Sequence, residues 1–160
     1  MAEAWLSLGG NIGDRKRAMD EAVTRLGQLP ATRVSARSSY YRTAPVGPVE
    51  QDWFVNICVA IETGLDEAAL RAACRAIEAA MGRDRAKETS WGPRVVDLDV
   101  IARSDRLAVP AHRELTRGYV LVPLMEIAPD LVIGGRGVRE ILAASDATGV
   151  ERLDWLVPRA

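Results

Sequence analysis

Two aspartates, Asp97 and Asp99, stand two residues apart in the apolar, β-favouring run VVDLDVI at positions 95–101. Because strand side chains alternate between faces, both carboxylates are expected on one face. A buried carboxylate without a partner is costly, and oxygen ligands suit Mg²⁺, which keeps several waters and is completed by substrate phosphates. The pattern therefore indicates a metal site built on a strand. The solvated acidic face of a half-exposed strand is the alternative.

Four cationic residues lie in the polar segment just before these aspartates: Arg83, Arg85, Lys87 and Arg94. Guanidinium groups can bind phosphate oxygens bidentately, so the segment suits a polyphosphate beside a metal site. A solvated loop is the alternative. Trp91 lies in the same segment and either stacks on a planar ligand or anchors the loop.

Phe54 and Asn56 are two residues apart in another strand-like run and should share a face. An aromatic surface beside an amide that donates and accepts hydrogen bonds suits a flat, nitrogen-rich ring. A core phenylalanine and an asparagine that caps a bulge are the alternatives. Glu78 borders the apolar stripe of a helix, where it either reaches the same cleft or forms a salt bridge at the helix edge.

Periodicity, caps and turn residues predict the elements that must position these side chains. They are a strand at Ala4 to Leu8, a helix after Asp14, an extended segment from Thr32 to Arg42, a strand from Phe54 to Thr63, a helix from Asp66 to Gly82 and a strand at Asp97. This βαββαβ order predicts a ferredoxin-like α+β sandwich, in which both helices pack on one face of an antiparallel sheet. The predicted C-terminal additions are a short helix at 121–127, an apolar stretch at 131–133 and a helix near 138–144.

Three connecting segments have distinct expectations. Gly9 to Gly13 lacks the ending and spacing of a phosphate-binding loop and is predicted to be a tight turn. The loops Thr43 to Asp52 and Arg83 to Pro93 are long enough to close over bound substrates. His112 is the only histidine, which excludes a His-rich metal cluster, and no spacing indicates a covalent catalytic set.

Chain length, composition, net charge and cysteine content limit the class of protein. A chain of 160 residues predicts a single domain over 1–160, and 48% hydrophobic with 27% charged residues is ordinary for a globular protein. A formal charge of −1 gives no basis for nonspecific nucleic-acid binding. Cys58 and Cys74 have neither metal nor redox spacing and are expected to be buried thiols in a reducing compartment. With no leader-like or membrane-spanning run, a cytoplasmic location is expected.

The run GPRVVDLDVI at 92–101 closely resembles the signature of the 6-hydroxymethyl-7,8-dihydropterin pyrophosphokinase family of folate biosynthesis. The blocks YRTAPVGP at 41–48, FVN at 54–56 and RGYVLVPL at 117–124 look like further family blocks in the same order. The similarity extends from about Leu6 to Leu131. It implies the ferredoxin-like fold, ATP and a pterin alcohol as substrates, and two Mg²⁺ ions.

The resemblance also implies roles for particular residues. The metal ligands would be Asp97 and Asp99, which with Arg83 and Arg94 form the predicted catalytic set. The predicted nucleotide contacts are Glu78, Arg85, Trp91, Arg94, Arg106, His112 and Arg117. The predicted pterin contacts are Thr43, Pro45, Val46, Phe54, Asn56 and Tyr119.

Three departures from the family pattern carry expectations of their own. Ala111 follows Pro110 where the family usually has histidine, so His112 is displaced by one position and its phosphate contact is left open. The chain is shorter than usual between Ile101 and Arg106, which predicts a different nucleotide affinity. Gly10 replaces a common serine, which is expected to loosen the first turn.

The predicted reaction transfers a diphosphoryl group from MgATP to the hydroxymethyl oxygen of the dihydropterin, with attack at the β-phosphorus and release of AMP. Such transfers depend on alignment and charge neutralisation, so no protein nucleophile is needed, and no general base is assigned. The expected partners are small molecules alone, and the expected state is a monomer. A non-catalytic ligand sensor on the same fold is the rival, because folds host unrelated functions.

Overall fold

A computed structural model describes residues 1–45, 47–89, 92–106 and 113–158. The strands are β1 Ala2–Gly10, β2 Thr32–Arg37, β3 Tyr41–Thr43, β4 Phe54–Thr63, β5 Asp97–Arg103, β6 Val132–Ile133, β7 Arg136–Gly137 and β8 Val150–Arg152. The helices are α1 Arg15–Gly27, α2 Glu67–Ala80, α3 Gly118–Ile127 and α4 Val138–Ala143, with single 3-10 turns at Arg85–Lys87 and Arg113–Thr116.

Six strands form one antiparallel sheet. Five of them follow the order β5-β1-β4-β3-β8, and β2 pairs with the same edge of β4 as β3 does, at residues 59–63 of β4. β6 and β7 form a separate two-stranded ribbon. With β2 and β3 together taking the place of one predicted strand, the order from β1 to β5 is the βαββαβ order that the sequence predicts. The predicted ferredoxin-like α+β fold is confirmed.

Both predicted helices begin at their predicted caps. The carboxylate of Asp14 accepts a hydrogen bond from the backbone N–H of Arg17, and that of Asp66 accepts one from Ala69. These bonds satisfy amide groups that the first turn of a helix leaves unpaired. The apolar faces of α1 and α2 pack on the same face of the sheet in a first hydrophobic cluster, which includes Met19, Ala22, Leu26, Leu70, Cys74 and Ile77.

The other face of the sheet is covered by C-terminal elements. Val120, Leu121 and Leu124 of α3 pack with Trp5 and Cys58 of the sheet in a second hydrophobic cluster. The sequence predicts a helix here but not which face it covers. None of the helices in the described parts of the chain has the length and apolar composition of a membrane span.

The extended segment predicted from Thr32 to Arg42 is confirmed, but it is divided into two strands, β2 and β3. The hydroxyl of Ser38 accepts a hydrogen bond from the backbone N–H of Cys58 at 2.9 Å, in the gap between β2 and β3. This side-chain bond takes a place that a backbone carbonyl would otherwise fill in the ladder. The chain can therefore change course before β3.

The tight turn predicted at Gly9 to Gly13 is also wrong in part, because Gly9 and Gly10 are the last residues of β1. A Cβ on Gly10 would lie 2.1 Å from the carbonyl oxygen of Val95. Glycine in a strand often marks such a close backbone approach. The expectation that Gly10 loosens a turn is therefore wrong, since this glycine allows β1 to meet the segment before β5.

Candidate active site

The register of three strands places the predicted acidic and amide residues in adjacent rows. Gly9 of β1 is paired with Asn56 of β4 on one side and with Asp97 of β5 on the other. One step along the same face, Ser7 is paired with Cys58 and Asp99 in the same way. Neighbouring strands lie about 4.8 Å apart, so roughly 10 Å separates the backbones at Asn56 and Asp97. The sheet thus brings the predicted metal ligands and a predicted pterin contact to one surface.

Gly9 leaves the centre of this surface without a side chain. A Cβ on Gly9 would lie 2.3 Å from Oδ1 of Asn56, which is closer than real contacts allow. The amide of Asn56 is oriented by its other end, because Nδ2 donates to Oγ1 of Thr43 at 2.7 Å. Asn56 and Thr43 are both buried. The pair therefore offers a fixed amide whose oxygen lies over Gly9.

Of the remaining predicted pterin contacts, three lie in the described residues and one does not. Phe54 lies two residues from Asn56 in β4 and is half-buried. Pro45 follows β3 and is half-buried, whereas Val46 lies outside the described residues. Tyr119 lies in the first turn of α3 and packs against the second cluster, on the same face of the sheet as Asn56.

Arg83 is the centre of a buried ionic cluster at the start of β5. Its Nη1 donates to Oε2 of Glu78 at 2.9 Å, to Oδ1 of Asp97 at 2.8 Å and to the carbonyl of Val96 at 3.2 Å. Its Nε and Nη2 donate to the carboxylate of Glu88 at 2.7 and 3.0 Å. The Arg83 side chain is 3% exposed. Arg83 is therefore held by three carboxylates, one of which is a predicted metal ligand.

Glu78 joins α2 to β5 within this cluster. One of its carboxylate oxygens accepts the backbone N–H of Leu98 at 2.8 Å, and the other accepts Nη2 of Arg85 at 2.8 Å. Of the two roles considered for Glu78, the salt bridge is the one observed, but it is buried beside the metal strand and not at an exposed helix edge. Glu78 thus positions two predicted phosphate-binding arginines.

The electrostatics of the cluster favour an ionised Asp97. Burial alone would raise the pKa of Asp97, but the hydrogen bond and charge of Arg83, together with the charge of Arg94, hold it below its ordinary value. Nη1 of Arg94 lies 3.7 Å from the Asp97 carboxylate. Burial lowers and the carboxylates raise the pKa of Arg83, and the net shift is upward. Both partners therefore keep their charges at neutral pH.

The donor set on this face suits a hard cation. Asp97 and Asp99 supply only oxygen ligands, and Mg²⁺ is commonly bound through one or two carboxylates with waters and substrate phosphates. Within the described parts of the chain, no three His, Cys, Asp or Glu side chains group to hold an ion by themselves. The two carboxylates therefore fit a metal that a bound phosphate helps to hold.

Other predicted nucleotide contacts lie elsewhere or outside the described residues. Arg106 forms an ion pair with Glu67, the first residue of α2, so it lies near the opposite end of β5 from Asp97. Arg117 precedes the first turn of α3 and is half-buried. Trp91 and His112 lie outside the described residues.

Asn11 is a residue of the site that the sequence did not single out. It is buried at the end of β1 and hydrogen-bonds to Arg94 on one side and to Gln51 on the other. The available signal was an amide residue directly after two glycines at the end of a strand, a pattern that equally fits an ordinary turn.

Comparison with known proteins agrees with this geometry. Residues 5–129 match the family described as 7,8-dihydro-6-hydroxymethylpterin-pyrophosphokinase. The chain is 50% identical to the 2-amino-4-hydroxy-6-hydroxymethyldihydropteridine pyrophosphokinase of Methylorubrum extorquens, over 96% of this chain and 100% of that protein. It is 38% identical to the protein of the same name from Pseudomonas aeruginosa, over 93% of this chain and 95% of that protein.

Solved structures support the fold alone. The Plasmodium falciparum HPPK-DHPS crystal structure with pteroate superposes with a TM-score of 0.68 at 12% identity, over 89% of this chain. The chain spans 44% of that longer chain. The family match over most of the sequence and the near full-length relatives carry the assignment. The chain belongs to the 7,8-dihydro-6-hydroxymethylpterin-pyrophosphokinase family.

Proposed function

We propose that this protein transfers the β,γ-diphosphoryl group of ATP to the hydroxymethyl oxygen of 6-hydroxymethyl-7,8-dihydropterin, a step of folate biosynthesis. Family membership supports the reaction, and one structural observation carries it. The register places Asn56, Gly9 and Asp97 side by side, so a fixed amide and a carboxylate lie on the same face of the sheet, on either side of a residue without a side chain. A flat ring held at Asn56 can thus present its substituent toward Asp97.

Recognition of the pterin is proposed to rest on the Asn56 and Thr43 pair. Thr43 accepts one N–H of the amide, so the oxygen and the second N–H of Asn56 have a fixed direction. An amide in one orientation can meet both a donor and an acceptor of a heterocycle. Phe54 and Tyr119 are proposed to supply the aromatic surfaces, with Pro45 and Val46 from the adjoining loop.

The protein is proposed to promote the reaction by aligning the two substrates and neutralising phosphate charge. The hydroxymethyl oxygen forms a bond to the β-phosphorus, the bond from that phosphorus to the oxygen bridging to the α-phosphorus breaks, AMP leaves and the hydroxyl proton is lost. Such transfers need alignment and neutralisation of the phosphate charge. Arg83, Arg85 and Arg94 are proposed to supply positive charge, with Arg117, Trp91 and His112 as further nucleotide contacts. Arg106 is proposed to contact the nucleotide as well, which requires it to leave its ion pair with Glu67.

Two Mg²⁺ ions are proposed to be held by Asp97 and Asp99 together with the phosphates. When bound, they would neutralise phosphate charge during transfer. Since Arg83 donates to Oδ1 of Asp97, this arginine holds the carboxylate in place until a cation shares or replaces that contact. Glu78 and Glu88 retain Arg83 in either case.

A monomeric state, a single domain over 1–160 and a cytoplasmic location are proposed with the reaction. Two hydrophobic clusters on opposite faces of one sheet support a single domain. Cys58 and Cys74 are buried free thiols, as a reducing compartment would permit.

The reaction is tested by incubating the protein with MgATP, with and without 6-hydroxymethyl-7,8-dihydropterin, and measuring AMP. We expect AMP that depends on the pterin and equals the pterin diphosphate formed. Pterin binding without AMP would instead support the ligand sensor.

The metal role is tested with Asp97→Asn against Asp130→Asn, an exposed aspartate remote from the site. We expect Asp97→Asn to lose about a hundredfold or more in turnover and to need more Mg²⁺, because a charged ligand is lost. Circular dichroism should show both variants folded. Near-normal turnover of Asp97→Asn would exclude an essential metal role for this residue.

A further inference from the structure

We propose that Glu126 positions the bound pterin, because it fixes helix α3, which carries Tyr119, to strand β3, which carries Thr43. The two sides of the proposed pterin site come from these elements. Thr43 orients the amide of Asn56, and Tyr119 is proposed to supply an aromatic surface on the same face of the sheet. This role rests on the proposed function and deepens it. Glu126 is a positioning residue and not a catalytic one, since it acts through Tyr119.

Three hydrogen-bond donors at the start of β3 converge on the carboxylate of Glu126. One carboxylate oxygen, Oε2, accepts the backbone N–H of Ser39 at 2.9 Å and the hydroxyl of the same residue at 3.1 Å. The other oxygen, Oε1, accepts the hydroxyl of Tyr41. Ser39 and Tyr41 are each 6% exposed, whereas Glu126 itself is exposed. These bonds therefore fix the last turn of α3 to two buried residues of the sheet.

Tyr41 places this junction directly beside the pterin-binding amide. It is paired with Asn56 in the register of β3 and β4. Residues that are directly opposite in an antiparallel pair project from the same face with Cβ atoms about 5 Å apart, so the two side chains are neighbours. Burial, together with the bond to Glu126, raises the pKa of Tyr41, so its hydroxyl remains a donor at neutral pH.

The spacing along α3 connects Glu126 with the aromatic side of the site. Tyr119 and Glu126 are seven residues apart, which is nearly two helical turns, so both lie on the same side of the helix. Seven helical residues span about 10 Å, and the four residues from Ser39 to Thr43 span up to about 13 Å. A helix held at Ser39 through Glu126 can therefore bring Tyr119 to the level of Thr43.

A contact at the other end of α3 shows that the helix has the required direction. A Cβ on Gly118, the first residue of α3, would lie 2.8 Å from the Cα of Ala147. Three residues after Ala147, Val150 is paired with Thr43 in the ladder of β8 and β3. The start of α3 is thus near the Thr43 end of β3, and the end of α3 is bonded to the opposite end of that strand. Tyr119 therefore lies toward Thr43.

The test measures pterin binding by calorimetry. The pterin, 6-hydroxymethyl-7,8-dihydropterin, is titrated into protein saturated with Mg²⁺ and an ATP analogue that has a methylene bridge between the α- and β-phosphorus. We expect Glu126→Ala to raise the Kd of the pterin about fivefold or more, a common size for interactions between coupled residues, and to change the Kd of the analogue by less than about twofold.

Glu126→Gln is the matched variant that separates the hydrogen bonds from the charge. Its amide oxygen can accept from Ser39, and its N–H can donate to the hydroxyl of Tyr41, which also accepts hydrogen bonds. Glu126→Gln should therefore bind the pterin within about twofold of the unmodified protein, although it lacks the same charge as Glu126→Ala.

A double-mutant cycle tests whether Glu126 acts through Tyr119. Tyr119→Leu keeps an apolar side chain against the second hydrophobic cluster and removes the aromatic face. It should weaken pterin binding, and in its presence Glu126→Ala should weaken binding further by less than about twofold. Asp66→Ala is the control for lost stability, because it removes the cap of α2 on the other face of the sheet. Its Kd for the pterin should be unchanged.

Three results would each overturn the proposal: a folded Glu126→Ala protein with a normal Kd for the pterin, an equal loss in Glu126→Gln, or an undiminished effect of Glu126→Ala beside Tyr119→Leu. If Glu126→Ala does not fold, Tyr41→Phe decides, since it removes one of the bonds, and an unchanged Kd rejects the proposal. Turnover of the unmodified protein separates this result from the proposed function. Pterin-dependent AMP with unchanged binding in the variants rejects only the role of Glu126, whereas absence of AMP rejects the reaction itself.

Discussion

Arg83 is the residue whose charge the site depends on most. It is buried and donates to Glu78, Glu88 and Asp97, so its removal leaves buried carboxylates without a partner. We expect Arg83→Met to lower the free energy of unfolding in urea by about 3–5 kcal/mol, as for other broken buried pairs. Arg85→Ala is the matched control, because Arg85 is half exposed and contacts only Glu78 within this cluster. A loss of about 1 kcal/mol or less is expected there, and equal losses would contradict the account of Arg83.

A second ionic cluster, away from the active site, gives a pH-dependent expectation. Asp20 accepts the hydroxyl of Tyr40 and pairs with Lys16 and Arg37. Burial alone would raise the pKa of Asp20, but these partners lower it overall. A carboxyl group with a lowered pKa in the folded state stabilises fully above its unfolded-state value of about 3.9, and this stabilisation is lost as pH falls through the folded value.

The difference in unfolding free energy between the unmodified protein and Asp20→Asn should therefore be constant from about pH 5 to 8 and shrink below about pH 4. Urea titrations across this range measure it, with Asp130→Asn as an exposed control. A difference that grows on acidification would show that the pKa of Asp20 is raised instead.

At the scale of elements, strand β1 contributes to the site through Gly9, which has no side chain. A Cβ on Gly9 would press on the Asn56 amide, and that amide is held by Thr43. We expect Gly9→Ala to raise the KM for the pterin about tenfold, since overpacking costs about 1–3 kcal/mol, while the KM for ATP stays within about twofold. Gly27→Ala is the control, because its Cβ would meet only Val34 at an ordinary 3.7 Å. Equal KM changes for both substrates would show that Gly9 supports the sheet generally.

Elements with local signals were predictable, and those fixed by distant contacts were not. The caps Asp14 and Asp66 and the strand from Phe54 to Thr63 were predicted correctly, because caps and apolar runs are read within a few residues. The break at Ser38 depends on Cys58, 20 residues later in the chain. The strand position of Gly10 depends on Val95. In both cases the partner is too far away in the sequence for the local pattern around Ser38 or Gly10 to indicate it.

The candidate site likewise contains residues that local sequence patterns predict and contacts that only the fold determines. Residue types and spacing predicted Asp97 and Asp99 on one strand, and the resemblance to a family extended the set to loops and helices. Neither indicated that Arg83 would be buried by Glu78, nor that Arg106 would pair with Glu67. Both pairings depend on how α2 docks beside β5, which is a matter of tertiary packing. The predicted roles of these residues stay predictions.

At the scale of the whole molecule, the C-terminal segment completes the sheet. β8 pairs with β3, so Val150 lies opposite Thr43, and the N–H of Leu153 donates to the carbonyl of Tyr40 at 2.9 Å. A three-residue strand is too short to show periodicity, so the sequence did not predict it. The family match ends at residue 129, yet the pairing of β8 supports the strand that carries Thr43. The fold thus draws on residues beyond the recognisable family region.

Two buried thiols allow the predicted single domain to be tested. Cys74 lies in the first hydrophobic cluster and Cys58 in the second, on opposite faces of the sheet. Burial raises the pKa of both thiols, that of Cys74 to about 12, so alkylation in the native protein requires an opening that exposes the sulfur. If the sheet and both helical layers unfold together, both thiols should react with one opening free energy, equal to that of global unfolding and equally sensitive to urea. Mass spectrometry of the two peptides measures each rate, and a much easier opening at one thiol would show that one face separates alone.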